Sequence, residues 1–461
     1  FLSLVWMFSK TLYAVSLIQS LFTLFTVIFF LWTIKKYYRS LMLFFTIAIT
    51  VYISSSYFII LEAALLTEGL FVNLLLITTT LLILALKSND LKYWILFSAS
   101  IAVTNIVRPA GLFLCGIIIL LIIYFIFRKY KLKYFISLIA PFSLLIIGLC
   151  FYNYITLRAF TITPFGETNL SGVTITFIEP SPEYPQYAND AINKVLATIP
   201  KKDIPYVKNS FGVTKLYDIF LNNFHKEIYL IDDIMKQDTT KNYTYFQPVL
   251  RKIYMDALKK YPLVYAKFFL VNFYRFFVNI RKEVEYYGEL AKDYKRIFVE
   301  KKYVEALGKG GWQQVSSDES DYEKIKQFYK EEIEQRGNFE NISVTNSGEV
   351  EIKSTFLKSV YDVFQLIYNI LFRNILWLIM FILTFSISIY RIIKSMLNET
   401  DAVIFFLIGA IFISKAMLVS LVECSIERYS YTVEYAYYMS LPFLILFFKK
   451  SKTKISSTNK L

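Results

Sequence analysis

Apolar stretches long enough to cross a lipid bilayer dominate this chain, and one long polar segment interrupts them. A helix needs roughly 20 apolar residues to span the hydrocarbon core, and about nine stretches qualify. Their bounds are Leu12–Ile34, Leu41–Ile60, Leu65–Leu86, Tyr93–Val107, Leu112–Phe127, Tyr134–Ile155, Val363–Tyr390, Ala402–Val422 and Val433–Phe448. The pattern predicts a polytopic α-helical membrane protein.

The composition agrees with membrane insertion and argues against a nucleic-acid-binding protein. Hydrophobic residues make up 56% of the 461 residues, above the share of an average soluble domain. The net charge is +14, but many of the basic residues lie in short clusters directly after the apolar stretches, where they orient a membrane protein. The positive charge therefore has an explanation that needs no DNA or RNA.

The basic clusters between the spans predict the orientation in the membrane. Under the nine-span count, five clusters fall on one side: Lys35, Lys36 and Arg39; Lys87 and Lys92; Arg128, Lys129, Lys131 and Lys133; Arg391 and Lys394; and Lys449, Lys450, Lys452 and Lys454. The positive-inside rule makes that side cytoplasmic. The long polar segment then faces outward.

The chain divides into three regions: membrane helices over residues 1–155, an extracytoplasmic domain over 156–360, and membrane helices with a basic cytoplasmic tail over 361–461. The middle region is predicted to be a mixed α/β domain. Phe160–Ile178 alternates Thr with Ile, Val and Phe, which is typical of one or two strands.

Later parts of this region predict helices. Asp190–Thr198, Leu216–Lys236 and Val249–Lys260 have helical patterns. Residues 263–280 follow a Tyr-Pro break and are predicted to lie along the outer membrane surface, with a full crossing as the competing reading. Lys282–Gln335 predicts a solvated helical pair, and Gly337–Ile352 a loop with a hairpin.

Ionisable residues at the outer ends of the spans are the candidate site. Glu62, Glu68 and Arg108 lie in very short turns at the membrane boundary, where a charge without a partner is costly. Each side chain either reaches the hydrated headgroup layer or joins a polar pocket, to which Glu427 and Arg428 would contribute. Pairing with Arg108 is the first expectation for Glu68.

Metal and histidine chemistry have little support in the sequence. His225 is the single histidine, and Cys115, Cys150 and Cys424 show no metal-ligand spacing. We therefore predict no metal site and no disulfide. Acid–base chemistry would have to come from carboxylates.

Five short patterns follow one another in an order that a group of membrane enzymes shares. They are Leu65-Leu66-Thr67-Glu68-Gly69-Leu70 opening a span, Thr104-Asn105-Ile106-Val107-Arg108-Pro109 ending a later one, Phe160–Leu170 after the sixth span, Ala257–Tyr265 around a Tyr-Pro break, and Glu427-Arg428-Tyr429 shortly before Leu441-Pro442. Together they resemble the GT-C superfamily of polytopic glycosyltransferases that use a polyprenyl-phosphate sugar, which includes protein mannosyltransferases and the lipid A aminoarabinose transferase.

The resemblance implies an inverting hexosyl- or pentosyltransferase that moves a sugar to a lipid, glycan or protein acceptor on the outer face of the membrane. The Lys-, Asn- and Ile-rich composition indicates a bacterial source, so we expect the inner membrane as the location. In such an enzyme Arg108 and Arg428 are the candidates for binding the donor phosphate. Glu68 is a further substrate-site candidate, which could orient the acceptor, bind a divalent ion or pair with Arg108, and Glu62, Glu427 and Tyr429 are weaker candidates. No cofactor is certain, and a divalent cation remains open. The family's catalytic Asp lies in a loop after the first membrane helix, which is expected upstream of Phe1 because the chain reads as a fragment.

Two other activities and a scaffold role remain open from the sequence. A transporter or flippase of lipid-linked sugars is the first alternative, although the chain shows no internal repeat and no matched pair of broken spans. An O-antigen polymerase or ligase also combines many spans with a large outer loop. A structural membrane scaffold is the third alternative, because no complete catalytic motif is present.

Overall fold

The computed structural model describes residues 12–55, 67–158, 160–163, 166–237, 243–279, 342–344, 350–352, 363, 375–424 and 427–458. The first helices are α1 (Leu12–Tyr37), α2 (Met42–Ile53), α3 (Thr67–Ser88), α4 (Leu91–Val107), α5 (Leu114–Phe127) and α6 (Leu132–Leu157). The next are α7 (Gly166–Thr174), α8 (Gln186–Thr198), α9 (Asp203–Asn209), α10 (Val213–Phe224), α11 (Glu227–Gln237), α12 (Tyr243–Lys260) and α13 (Pro262–Asn279). The hairpin β1 (Ile342–Val344) and β2 (Val350–Ile352) and the helices α14 (Ile375–Ser395), α15 (Thr400–Val422), α16 (Glu427–Tyr431) and α17 (Tyr435–Thr458) follow.

The chain forms two compact units. One comprises residues 1–21, 53–66 and 282–374, and the other comprises 22–52, 67–281 and 375–461. In the first unit β1 and β2 pair antiparallel, with Ile342 opposite Ile352, which confirms the predicted hairpin. The second unit contains the described residues of the candidate site.

The prediction of a polytopic helical membrane protein is confirmed. Within the described residues, six helices are long and apolar enough to cross a membrane: Leu17–Tyr37, Glu68–Ser88, Pro109–Phe127, Leu132–Thr156, Ile375–Ser395 and Thr400–Val422. Arg39–Ile53 and Leu91–Val107 are shorter apolar helices. The six coincide with six of the nine predicted spans.

Helices α3 and α15 form the centre of the membrane region. Both are largely buried by other helices, whereas α6 and α14 leave most of their apolar surface exposed, as lipid-facing helices do. Polar contacts join α3 to its neighbours: Asn73 donates to Thr23 of α1 at 2.7 Å, and the Thr79 hydroxyl lies 2.8 Å from that of Tyr435 in α17. Hydrogen bonds of this kind help membrane helices associate where apolar burial gives no preference.

Helices α3 and α15 run antiparallel, and charged residues of both helices lie close together at each end of the pair. At one end, Lys87 of α3 pairs with Asp401 of α15 at 2.5 Å. At the other end, Glu68 opens α3 and its charge acts on Lys415 of α15. The two helices therefore carry two separate charged sites.

The prediction of a mixed α/β extracytoplasmic domain is wrong, because the described residues from 166 to 279 are helical apart from their connections. The predicted strands of Phe160–Ile178 are replaced by α7 and a turn. Burial does not alternate there: Thr174 and Thr176 are as buried as Val173 and Ile175. Helices surround this segment on all sides, so these successive side chains are all buried. The alternation of buried and exposed side chains that is typical of a strand is therefore absent.

These helices share one apolar core, which includes Phe177, Ile192, Phe220 and Leu250. The helical predictions for Asp190–Thr198 and Val249–Lys260 are confirmed by α8 and α12. Leu216–Lys236 forms two helices, α10 and α11, because the chain breaks at His225.

Helix α13 matches the predicted helix over 263–280 and packs lengthwise on α15. The Tyr265 hydroxyl donates to the carbonyl of Leu421 at 2.9 Å, and Phe276 stacks edge-on against Phe412 with ring centres 5.6 Å apart. The two helices therefore run antiparallel along the C-terminal half of α15. The membrane-surface position of α13 stays a prediction. The helical pair predicted for Lys282–Gln335 lies outside the described residues.

Candidate functional site

An ion pair between Glu68 and Arg108 forms the base of the candidate site. Nη1 of Arg108 lies 2.5 Å from Oε1 of Glu68, and the two side chains are 16% and 4% exposed. This contact confirms the predicted pairing of Glu68 with Arg108. Glu68 lies in the first turn of α3, where a negative charge is also favoured by the helix dipole.

The turn after α4 holds Arg108 in place. Arg108 ends α4 in an extended conformation, which the following Pro109 favours, and its backbone N–H donates to the carbonyl of Thr104. Gly111 then passes close to the backbone of Asn105, where an added Cβ would lie 3.3 Å from Asn105 atoms. The chain therefore reverses direction directly after Arg108, and the Arg108 guanidinium lies beside α3.

Lys415 is the most unusual residue of the site. It lies in the middle of α15, its side chain is fully buried, and no described residue accepts a hydrogen bond from its Nζ atom. The ammonium faces the rings of Phe71 and Phe113, with 4.9 and 5.3 Å from Nζ to the ring centres. Nearby charges are Arg108, Glu423 and Glu68. Two cations thus lie close together in a buried membrane region.

Tyr429 connects this cluster to the end of α15. Its ring lies under the Arg108 guanidinium, 5.7 Å from centre to centre, and its hydroxyl donates to Oε1 of Glu423. Glu423 is the C-terminal cap of α15. Glu68, Arg108, Lys415, Glu423 and Tyr429 form what we call the Lys415 cluster.

Glu227 lies beside the cluster at the start of α11. It is 4% exposed, and its Oε2 atom has no hydrogen-bond partner among the described residues. Burial, together with the negative charge of Glu423, raises the pKa of this carboxyl to about 8. At neutral pH Glu227 is therefore mainly protonated, which makes it a neutral acid next to the Glu423 carboxylate.

The structure brings three of the six predicted site residues into contact. Glu68, Arg108 and Tyr429 come together. Glu427 and Arg428 lie in α16, but their side chains are outside the described structure. Glu62 lies outside the described residues.

The sequence reasoning missed Lys415 and Glu227. Lys415 carried a signal, because it is the single charged residue between Ala402 and Val422, and a charge inside a span is a functional candidate by default. Glu227 gave no local signal, because its burial depends on packing between distant segments.

Among the described residues, no group of three or more His, Cys, Asp or Glu side chains is arranged to hold a metal ion. Comparisons with protein-family models, with curated proteins and with solved structures found no match to this chain. The resemblance to the GT-C superfamily and the activity that it implies therefore remain predictions.

Proposed function

We propose that this multi-pass membrane protein is a glycosyltransferase that moves a sugar from a polyprenyl-phosphate-linked donor to an acceptor at the membrane surface. The observation that carries the proposal is the buried ammonium of Lys415 beside Arg108. A charge buried inside a span is costly and is usually retained for a ligand. Two adjacent cations fit an anionic ligand.

The donor phosphate fits the position and chemistry of this pair. Lys415 lies seven residues before the end of α15, which is about 10 Å along the helix axis. A lipid-linked phosphate enters at that level from the headgroup region with its chain in the bilayer. Arg108 pairs with Glu68 through Nη1, and the other N–H groups of its guanidinium can bind a phosphate, while Lys415 adds a point charge.

Glu68 and Tyr429 position the guanidinium in this proposal. Glu68 binds Arg108 from one side and the Tyr429 ring lies on its face, so the side chain loses little further freedom when the phosphate binds. The buried Glu227 carboxyl, whose pKa is raised to about 8, is a candidate for exchanging a proton near neutral pH.

The outward orientation of residues 156–360 and a location in a bacterial inner membrane belong to the same proposal. The basic clusters after the spans support the orientation through the positive-inside rule. The helices α7 to α13 would then cover the Lys415 cluster from outside, with α13 packed on α15.

The test is a transfer assay with the purified full chain. A polyprenyl-phosphate sugar labelled in the sugar is mixed with membranes of the producing organism as acceptor. We expect transfer by the wild type and a donor KM at least about tenfold higher in Lys415→Met, because a charge-assisted hydrogen bond contributes about 1.5–3 kcal/mol. Lys92→Gln, an exposed lysine change on α4, is the control.

Two results would contradict the proposal. The first is unchanged donor kinetics in Lys415→Met, which would remove the phosphate assignment. The second is movement of the intact lipid-linked sugar across proteoliposomes with no transfer to any acceptor, which would favour a transporter.

A further inference from the structure

A second charged site lies at the opposite end of the α3–α15 pair. A cavity of about 830 Å³ opens there between the ends of the helices. Four of its lining residues are basic and two are acidic, so the cavity has an excess of positive charge: Lys87, Arg391, Lys394 and Lys450 against Glu399 and Asp401. We call it the basic cavity.

The two carboxylates of the basic cavity are already bound by the protein. Asp401 accepts a hydrogen bond from the Tyr38 hydroxyl at 2.7 Å and pairs with both Lys87 and Lys450. Glu399 pairs with Arg391 at 2.6 Å. Three basic residues of the lining therefore neutralise the two carboxylates, and Lys394 is the fourth basic residue.

Lys394 supplies much of the excess positive charge of the cavity. Its side chain is exposed, it has no carboxylate partner among the described residues, and its Nζ reaches only the Tyr390 hydroxyl at 3.4 Å. Arg128, at the end of α5, donates from Nη1 to the Asn398 side chain at the edge of the same cavity. Two cations at the rim can therefore turn towards an anion without breaking an ion pair.

The apolar surface next to the cavity indicates what kind of anion fits. Exposed apolar residues follow one face of α14 at helical spacing and end beside the cavity. They are Leu376, Ile379, Ile382, Leu383, Ile389, Tyr390 and Ile393. A ligand with a phosphate head and acyl chains would cover both the charged cavity and this apolar face.

We propose that the basic cavity binds the phosphate headgroup of an anionic lipid, with Lys394 as its main contact and the acyl chains along α14. Basic pockets between membrane helices recognise such headgroups, and a cavity of this size lies in the range of ligand sites. This site is separate from the Lys415 cluster, so the proposal does not depend on the glycosyltransferase assignment.

The test measures lipid binding to the purified full chain in a neutral detergent. Phosphatidylglycerol and zwitterionic phosphatidylcholine are titrated separately in mixed micelles. We expect tighter binding of phosphatidylglycerol to the wild type. The exposed position of Lys394 makes Lys394→Gln compatible with folding, which a melting curve verifies, and this variant should raise the Kd for phosphatidylglycerol about fivefold.

Lys92→Gln is the matched control, because Lys92 is an exposed lysine that does not line the cavity. Its Kd should stay within about twofold of the wild type. Equal Kd values in Lys394→Gln and wild type, or equal binding of the two lipids, would overturn the proposal. Displacement of the lipid by millimolar inorganic phosphate would assign the cavity to a soluble phosphate and overturn the lipid assignment.

Discussion

At the scale of single residues, the two cations of the Lys415 cluster have different protein partners. Arg108 neutralises Glu68, so removing it leaves a buried carboxylate without its cation. Lys415 differs, because no described residue accepts a hydrogen bond from it and Glu423 already receives the Tyr429 hydroxyl. The two cations should therefore respond differently to replacement.

Lys415→Met should leave the free energy of unfolding unchanged or raise it by about 1–3 kcal/mol, because a buried charge is replaced by an apolar side chain of similar length. Arg108→Met should lower it by about 3–5 kcal/mol, because it leaves Glu68 buried and unpaired. Melting curves of the purified variants in detergent compare the two. A loss in Lys415→Met as large as that in Arg108→Met would show that Lys415 is structural.

Glu227 should make stability fall as pH rises. Its carboxyl ionises near pH 4.5 in an unfolded chain and near pH 8 in the folded protein. Between these values the folded protein binds more protons than the unfolded chain, so stability decreases with pH by roughly 5 kcal/mol at most. Melting temperatures of the wild type should fall from pH 5 to 8 more steeply than those of Glu227→Gln.

The exposed carboxylate Asp190 supplies the control for this pH series. Asp190→Asn should follow the wild-type curve. Parallel curves for the wild type and Glu227→Gln would contradict the assignment of a buried neutral acid.

The site shows how far residue-level reasoning from the sequence can reach. Glu68 and Arg108 could be predicted as a pair because the ends of their spans locate both at one membrane boundary. Lys415 lies deeper, and only the packing of α15 against α3 and the turn after α4 shows which charges surround it. The surroundings of Glu227 depend on α11 meeting the end of α15, a contact between residues far apart in the chain.

At the scale of elements, the apolar stretches correctly predicted membrane-spanning helices, whereas the predicted α/β fold of the polar segment was wrong. A span of about 20 apolar residues is a strong signal, because the bilayer demands that length. The Thr-rich alternation of Phe160–Ile178 is a weak one, since it covers few residues and includes Pro164. Packing against α12 and α13 favours a helix and a turn over strands here, and Phe177 and Ile178 belong to the apolar core between helices.

The contact between α14 and α15 depends on the absence of a side chain at Gly409. An added Cβ would lie 2.6 Å from Cε2 of Phe385, whose ring stacks on Phe381 and Phe406. Gly409→Ala should therefore lower the free energy of unfolding by about 1–3 kcal/mol through overpacking. Melting curves of the purified protein measure this loss.

Gly148 in α6 provides a matched control, because an added Cβ there meets no atom within 4 Å. Gly148→Ala should be neutral or slightly stabilising, since alanine favours helices more than glycine does. Combining Gly409→Ala with Phe385→Leu should recover part of the loss. Equal effects of Gly409→Ala and Gly148→Ala would contradict the close packing of α14 on α15.

At the scale of the whole molecule, the antiparallel pair α3 and α15 organises two charged sites in one membrane unit. Asp401 and Lys415 are 14 residues apart in α15, which corresponds to about 21 Å along the helix. The basic cavity collects Lys87, Arg391 and Lys450 from three of the clusters that the sequence predicts on the cytoplasmic side. Under the predicted orientation the Lys415 cluster would lie on the outer side, where the proposed lipid-linked donor would be used.

We propose above all that Lys415 and Arg108 bind a lipid-linked phosphate. The most direct measurement compares the affinity of the purified full chain for polyprenyl phosphate and for the corresponding polyprenol, in the wild type and in Lys415→Met. We expect the wild type to prefer the phosphate by at least about tenfold and Lys415→Met to lose most of this preference. Equal affinity of the wild type for the two lipids, or an undiminished preference in Lys415→Met, would contradict it.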